Sequence, residues 1–210
     1  MTGLIETVRI RNGSAPLWAL HMRRLATSGR ALSLLLPSGL ERPSGGPDRI
    51  YRLQIDGNKV TVTERELGAS YPIRLITARV VHQPYPHKTT ARAQFDEAAA
   101  EARRAGADEG LLLSQDGWVA ETSIYGVFWW EDGRLCAPPL DLNILPGVAR
   151  ARLAALAGVI VERRAAPQAI VDAGLFLANA ARGVVAVASW DRRPVGDHPL
   201  TGELRERFWG

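Results

Sequence analysis

"QPYPHKTTARAQFDEAAAEARRAG", residues 83–106, joins two kinds of chain. The residues ahead of Pro84 and Pro86 are pushed out of the helical region, so the first half runs extended. The second half is alanine-rich, with Glu and Arg spaced to pair along one helix face and Gly106 placed as a C-cap. Lys88 stands at the junction. Beside an aromatic, apolar strap a lysine loses solvation, which disfavours its ammonium form. A neutral amine is the species that attacks a carbonyl carbon. A lone lysine is far more often a solvated surface charge, so this reading needs other residues to support it.

Working toward the N-terminus, "IYRLQIDGNKVTVTERE" alternates around an Asp56–Gly57 hairpin signal, and "IRLITARVV" alternates again. "LIETVRIRNG" is β-branched and ends at Asn12–Gly13, so it predicts a strand and a turn. Leu17, Leu20, Leu25 and Leu32 predict a helix, which Gly29 is placed to end. Residues 1–82 therefore read as a small α+β domain, with 83–87 as an inter-domain linker. Toward the C-terminus, "EGLLLSQDGWVAETS" and "GVFWWEDGRLCAPP" are strand–turn–strand hairpins. "NILPGVARARLAALAG" passes from loop to helix, "AGLFLANAARGVVAVASW" holds two strands, and "TGELRERFWG" predicts a terminal helix. Residues 88–210 read as a larger domain, a mostly antiparallel sheet or barrel with helices against it.

Composition narrows the function classes. The chain has 210 residues and a formal charge of +4, with its arginines spread among acids rather than massed in a block. That argues against nucleic acid and suits clamps for small anions. No apolar run approaches a membrane span and no secretory signal precedes the first strand, so a cytoplasmic, membrane-free protein is expected. The single cysteine, Cys136, makes neither an internal disulfide nor a thiolate metal cluster; it reads as a small buried hydrophobe, and no metal is expected.

Two further stretches carry chemistry. In "NILPGVAR", residues 143–150, a glycine-containing loop enters a helix, where unpaired amides and the helix dipole favour an anion. Gly147 lets the backbone approach, and the amides of Val148 and Ala149 point at the ligand. In "VAETSIYG", residues 119–126, Glu121 falls among apolar residues, where a carboxylate needs a cationic partner. That partner is either a structural salt bridge or the protonated nitrogen of an aromatic cofactor. Amine, phosphate cradle and buried carboxylate together are what pyridoxal 5'-phosphate requires.

These stretches stand in the order and wording of the class IV aminotransferases, the fold-type IV pyridoxal-phosphate enzymes, and the resemblance spans nearly the whole chain. "GLIETVRIRNG" resembles the family's G-x-F-E-T strand, "LHMRRL" its H-x-x-R-L, and "HKTTAR" its Schiff-base lysine segment. "GADEGLLLSQDGWVAETSIYGVFW", "ILPGVARARL" and "LANAARGVVAV" resemble its glutamate, phosphate and carboxylate-side motifs. The resemblance implies a two-domain α+β fold, with a small N-terminal domain and a larger barrel-like β domain flanked by helices. It implies Arg24 on the cofactor phosphate, Lys88 as Schiff-base lysine and Glu121 on the pyridine nitrogen. It also implies Leu145 packed on the ring, with Gly147, Val148, Ala149 and Ala180 around the phosphate and Ala181 near a substrate carboxylate. Three departures stand out: a family threonine is Ala149, a family asparagine is Gly126, and the family's usual leading strand has no counterpart ahead of Gly3. Lys88 with Arg92 in "KTTAR", together with "NAARGV", resembles the aminodeoxychorismate lyase branch, which makes Arg92 a substrate residue and 4-amino-4-deoxychorismate the expected substrate. The alternatives are branched-chain or D-amino-acid transamination and a cofactor-binding member without turnover. A homodimer is the assembly the resemblance implies.

Overall fold

The computed structural model describes residues 2–210, which fall into two compact units: the chain up to Ala69 with His87–Ala91, and Ser70–Pro86 with Arg92–Gly210. In the first, β1 (Leu4–Ile10), α1 (Trp18–Ala31), β2 (Arg49–Asp56) and β3 (Lys59–Glu66) follow in order. The strands form an antiparallel sheet, β1-β2-β3. Asn12 and Gly13 both take positive φ, closing the turn after β1 through paired bonds between Arg11 and Ser14. Helix α1 lays Leu25 against Leu4 and Ile55, and Met22, Leu34, Leu36 and Leu40 complete that core.

Gly29 does not end α1, which runs through it. A Cβ at Gly29 would come within 2.8 Å of Leu36, so the glycine lets the loop after α1 fold back onto the helix. Close packing outweighs its poor helix propensity.

The second unit contains β4 (Ile73–Thr77), α2 (Ala93–Arg104), β5 (Glu109–Leu113), β6 (Val119–Thr122), β7 (Gly126–Glu131) and β8 (Arg134–Ala137). It continues through α3 (Val148–Ala157), β9 (Val161–Glu162), α4 (Pro167–Ile170), β10 (Phe176–Asn179), β11 (Gly183–Trp190), β12 (Arg193–Pro194) and α5 (Pro199–Arg207). Strands β11, β4, β5, β6 and β7 are hydrogen-bonded in that order, and β10 pairs with both β11 and β7, so the sheet closes into a barrel. Its core gathers Leu75, Leu111, Val127, Trp129, Leu177 and Val185. The β7–β8 turn places Asp132 and Gly133 at positive φ, as the expected Asp-Gly hairpin requires. Helix α2 sits directly on β5: a Cβ on Gly110 would lie 2.6 Å from the Ala98 carbonyl oxygen.

This division differs from the expected boundaries in two places. β4, expected in the small domain, runs parallel to β5 and β11 in the barrel. Alternation reports a half-buried strand but not its partner. The strap 83–87, expected as an inter-domain linker, belongs up to Pro86 to the second unit, with His87 in the first. Tyr85 is 5 % exposed, its amide donates to the Asn143 carbonyl at 2.7 Å, and its ring meets Phe95 edge-on at 4.7 Å. Cys136 is buried at 1 % exposure, which pushes its thiol pKa up and matches its reading as a hydrophobe.

Candidate active site

In the first unit, the lysine segment is held against the start of β1 by a single β-bridge. The Ile5 amide donates to the Lys88 carbonyl at 2.8 Å, and Thr90 donates to Gly3 at 2.9 Å. Leu4 stands opposite Thr89 in an antiparallel bridge. Lys88 is thus fixed through its backbone, one residue along β1 from Glu6. His21 and Arg24 lie three apart on α1 and share the face turned to that strand. Glu6, 2 % exposed, accepts from His21 Nδ1 at 2.6 Å, from Arg24 Nε at 2.9 Å and from Arg24 Nη2 at 2.5 Å.

Burial pushes the Glu6 carboxyl up, but the Arg24 charge and the His21 and Arg24 donors outweigh it and bring the pKa to about 2. Burial pushes His21 down, Glu6 pulls it back up, and the Arg24 and Lys88 charges push it down again. His21 is therefore neutral with its proton on Nδ1, since an ionised carboxylate can only accept. Its Nε2 is buried and has no hydrogen-bond partner among the described residues. Arg24, expected on a phosphate, spends Nε and Nη2 on Glu6, which leaves Nη1 outside that pair.

In the second unit, Glu121 is the penultimate residue of β6, opposite Gly126 on β7, and the turn between the strands is tied by Thr122, whose Oγ1 accepts the Tyr125 amide at 3.0 Å. A Cβ at Gly126 would lie 3.2 Å from the Phe128 ring, so the family's asparagine does not fit there unless that ring shifts. Glu121 is 6 % exposed. Its Oε1 accepts from His82 Nε2 at 2.9 Å and from the Leu145 amide at 3.2 Å; Oε2 takes part in neither bond.

From Leu145 the chain passes through Pro146 to Gly147, the N-cap of α3, where no side chain caps the helix. The first-turn amides at Val148 and Ala149 have no intrahelical acceptor and face the positive end of the dipole. A Cβ on Gly147 would sit 3.9 Å from the Arg150 nitrogen, over that same turn. The Leu145 side chain packs against Ala78, Tyr85, Phe95 and Leu112.

The β10–β11 turn is organised by Asn179, whose Oδ1 accepts the amides of Ala181 at 3.0 Å and Arg182 at 2.7 Å. The Ala181 amide is therefore engaged within the turn, whereas Ala180 is the residue that Asn179 leaves out of this pairing. Arg92, expected to meet substrate, instead donates from Nη2 to the Ser123 carbonyl at 2.6 Å and lies 4.9 Å over the Phe95 ring. Ser123 Oγ donates to Glu109 at 2.6 Å, and burial raises the Glu109 pKa against those donors and the Arg92 charge.

Glu6, His21, His82, Asn179 and Glu109 were given no role by sequence reasoning. Glu6 and His21 were legible as neighbours of Arg24 inside the quoted motifs. His82 carried no signal, because it lies 39 residues from Glu121.

Residues 58–190 match the amino-transferase class IV family. The chain belongs to that family. Class IV relatives include the branched-chain-amino-acid aminotransferase of Escherichia coli K12, 30 % identical over 118 residues. That alignment covers 52 % of this chain and 38 % of the relative, so the chain matches well under two thirds of its length. A T.th. branched-chain aminotransferase, solved with pyridoxamine 5'-phosphate, superposes with a TM-score of 0.80 at 25 % identity, over 99 % of this chain and 84 % of that one. A Legionella pneumophila structure proposed to be a 4-amino-4-deoxychorismate lyase superposes at 0.83 with 23 % identity, over 96 % and 88 %. The closed barrel with few helices is the fold-type IV architecture of these class IV enzymes. No helix among the described residues is long and apolar enough to cross a membrane.

Proposed function

We propose that the chain is a pyridoxal-phosphate-dependent enzyme that works at the α-carbon of an amino acid. The observation that carries this reading lies in the second unit. A buried carboxylate, Glu121, is bonded through one oxygen to the amide of Leu145, three residues ahead of the uncapped N-terminus of α3. One group suits a protonated ring nitrogen and the other a phosphate. The donor set therefore fits the cofactor. Ala149 offers no hydroxyl, so its share of phosphate binding falls to backbone amides, with Gly147, Val148 and Ala180 beside it.

Bound there, pyridoxal phosphate supplies an electron sink for the pair left on the α-carbon. Lys88 would hold the cofactor through its amine, and the same amine, when free, would take the α-proton. Glu121 holds a proton at the ring nitrogen. Arg24, oriented by Glu6, offers Nη1 to the phosphate, and Leu145 covers the ring.

Transamination is the reaction favoured by the class IV relatives at 25 % identity and above. The wording of "HKTTAR" and "NAARGV" favours a second outcome, elimination of pyruvate from 4-amino-4-deoxychorismate. Arg92 supports that outcome only through the motif, since its Nη2 is committed to Ser123. Absorbance of the purified chain with added cofactor, followed by amino-acid donors and then keto acids, tests the proposal. Bleaching by a donor and recovery with a keto acid identifies a transaminase; pyruvate release without bleaching identifies the lyase. A chain that binds no cofactor would defeat both readings. A homodimer is the proposed assembly, checked by light scattering.

A further inference from the structure

Glu121 is oriented by two donors that arrive from different parts of the second unit, the Leu145 amide ahead of α3 and the ring of His82, the residue just before the strap. We infer that His82 is the positioning residue for Glu121: it pins Oε1 and leaves Oε2 as the oxygen presented to the cofactor's ring nitrogen. The inference rests on the pyridoxal-phosphate reading above.

The placement of His82 is itself strongly held. Its backbone amide donates to the Leu113 carbonyl at 2.8 Å, at the end of β5. Its ring meets the edge of Phe95, with centroids 6.5 Å apart and planes at 62°. Three residues on, Tyr85 is buried against the same Phe95 and bonded to Asn143, so the chain is anchored both at the histidine and just beyond it. The imidazole has little room to swing.

As Glu121 is a carboxylate, it can only accept, so His82 Nε2 carries the hydrogen. A carboxylate whose one oxygen receives two hydrogen bonds is fixed in both rotamer and plane. Its second oxygen then points in one direction and can take one further donor without any rearrangement. A planar ring N–H is such a donor. Buried ligating groups depend on partners of this kind, and losing the partner loosens the ligand as well as the side chain. Backbone alone cannot replace His82, because the single Leu145 amide leaves the carboxylate free to rotate about that bond.

The test uses the full chain freed of cofactor, with tryptophan fluorescence as the readout for pyridoxal 5'-phosphate binding. His82→Leu should weaken that affinity about tenfold or more, the range seen when an outer partner of a ligand is removed. His82→Gln, which keeps an N–H for Oε1, should stay within about threefold of wild type, on the scale of a single retained hydrogen bond. Glu121→Gln should weaken binding, and adding His82→Leu to it should cost nothing more, since the two act through one another. Affinity for inorganic phosphate should be equal in all four proteins.

His82→Leu binding like wild type, or a loss undiminished in the Glu121→Gln background, overturns the role of His82 and leaves the cofactor reading intact. Glu121→Gln binding like wild type overturns both. If His82→Leu does not fold, His82→Asn serves in its place: too short to reach Oε1, it should lose affinity where Gln does not.

Discussion

In the first unit Glu6 receives three donors on its two oxygens, all from α1, and its carboxyl is driven down to about 2. In the second unit Glu121, also buried, receives two donors on one oxygen, from the His82 ring and a backbone amide. Both carboxylates meet a histidine and both lie on strands. The difference is that Glu6 is saturated by its own unit and so acts as a fixed anchor for Arg24. Glu121 is held in place but not used up. Its Oε2 stands outside both of those bonds. Under the proposed function, saturation separates the two carboxylates better than burial does.

That comparison can be broken in several ways. The largest effect belongs to Lys88, whose carbonyl accepts the amide of Ile5, the neighbour of Glu6. Lys88→Ala should cut turnover roughly 10⁴-fold, as expected for removal of a covalent group, while the melting temperature holds. A variant that still turned over at the wild-type rate would remove Lys88 from the mechanism. Next, Glu6→Ala should destabilise the fold by about 3–5 kcal/mol in urea unfolding, because it strands His21 and Arg24. A loss below about 1 kcal/mol, typical of an exposed pair, would show that the cluster is not saturated in solution.

The pH dependence has a definite sign. The folded pKa of Glu6, about 2, lies below its ordinary 4.5, so its stabilisation is complete above pH 4.5 and is lost as pH falls toward 2. At about 1.4 kcal/mol per unit, this amounts to about 3 kcal/mol, and acid unfolding of Glu6→Gln should lack that segment. Glu109 works the other way: burial raises its pKa above the ordinary 4.5, so its contribution is full below pH 4.5 and is lost as pH rises from there toward the raised value.

Glu121→Gln should change stability by only about 1 kcal/mol, since an amide oxygen still accepts from His82 and Leu145. A loss as large as that of Glu6→Ala would make the two carboxylates equivalent. The smallest effect is expected at Gly29. Ala there gains about 0.5–1 kcal/mol of helix propensity but presses on Leu36, at a cost of about 1–3 kcal/mol. A net loss of about 1 kcal/mol in urea unfolding is expected from that balance. A net gain would mean that Leu36 moves aside freely.

Much of the fold was legible because its signals are local. Asp-Gly and Asn-Gly turns lie where positive φ is needed, and the α2 and α3 helices begin close to where their alanine-rich runs do. The barrel itself was half legible: hairpins announce antiparallel neighbours, but the parallel seats of β4 between β5 and β11 connect distant segments through no spacing rule. At the site, motif order singled out Glu121, Gly147 and Lys88. It also assigned Arg92 and Ala181 to the substrate; within the chain, Arg92 is bonded to Ser123 and the Ala181 amide to Asn179. Arginine and amide donors are recognisable by type, but what they bond to depends on what lies opposite.

The junction at 83–106 shows where that limit falls. Its sequence determined by itself that an extended strap would give way to a helix, because proline geometry and helix propensity act within a few residues. It also determined that a lysine would stand between them. Only the tertiary structure decided that this lysine segment would pair with β1, that Tyr85 would be buried on Phe95, and that His82 would reach Glu121. Those outcomes depend on which surfaces meet when apolar faces are removed from water, and no local periodicity encodes that choice.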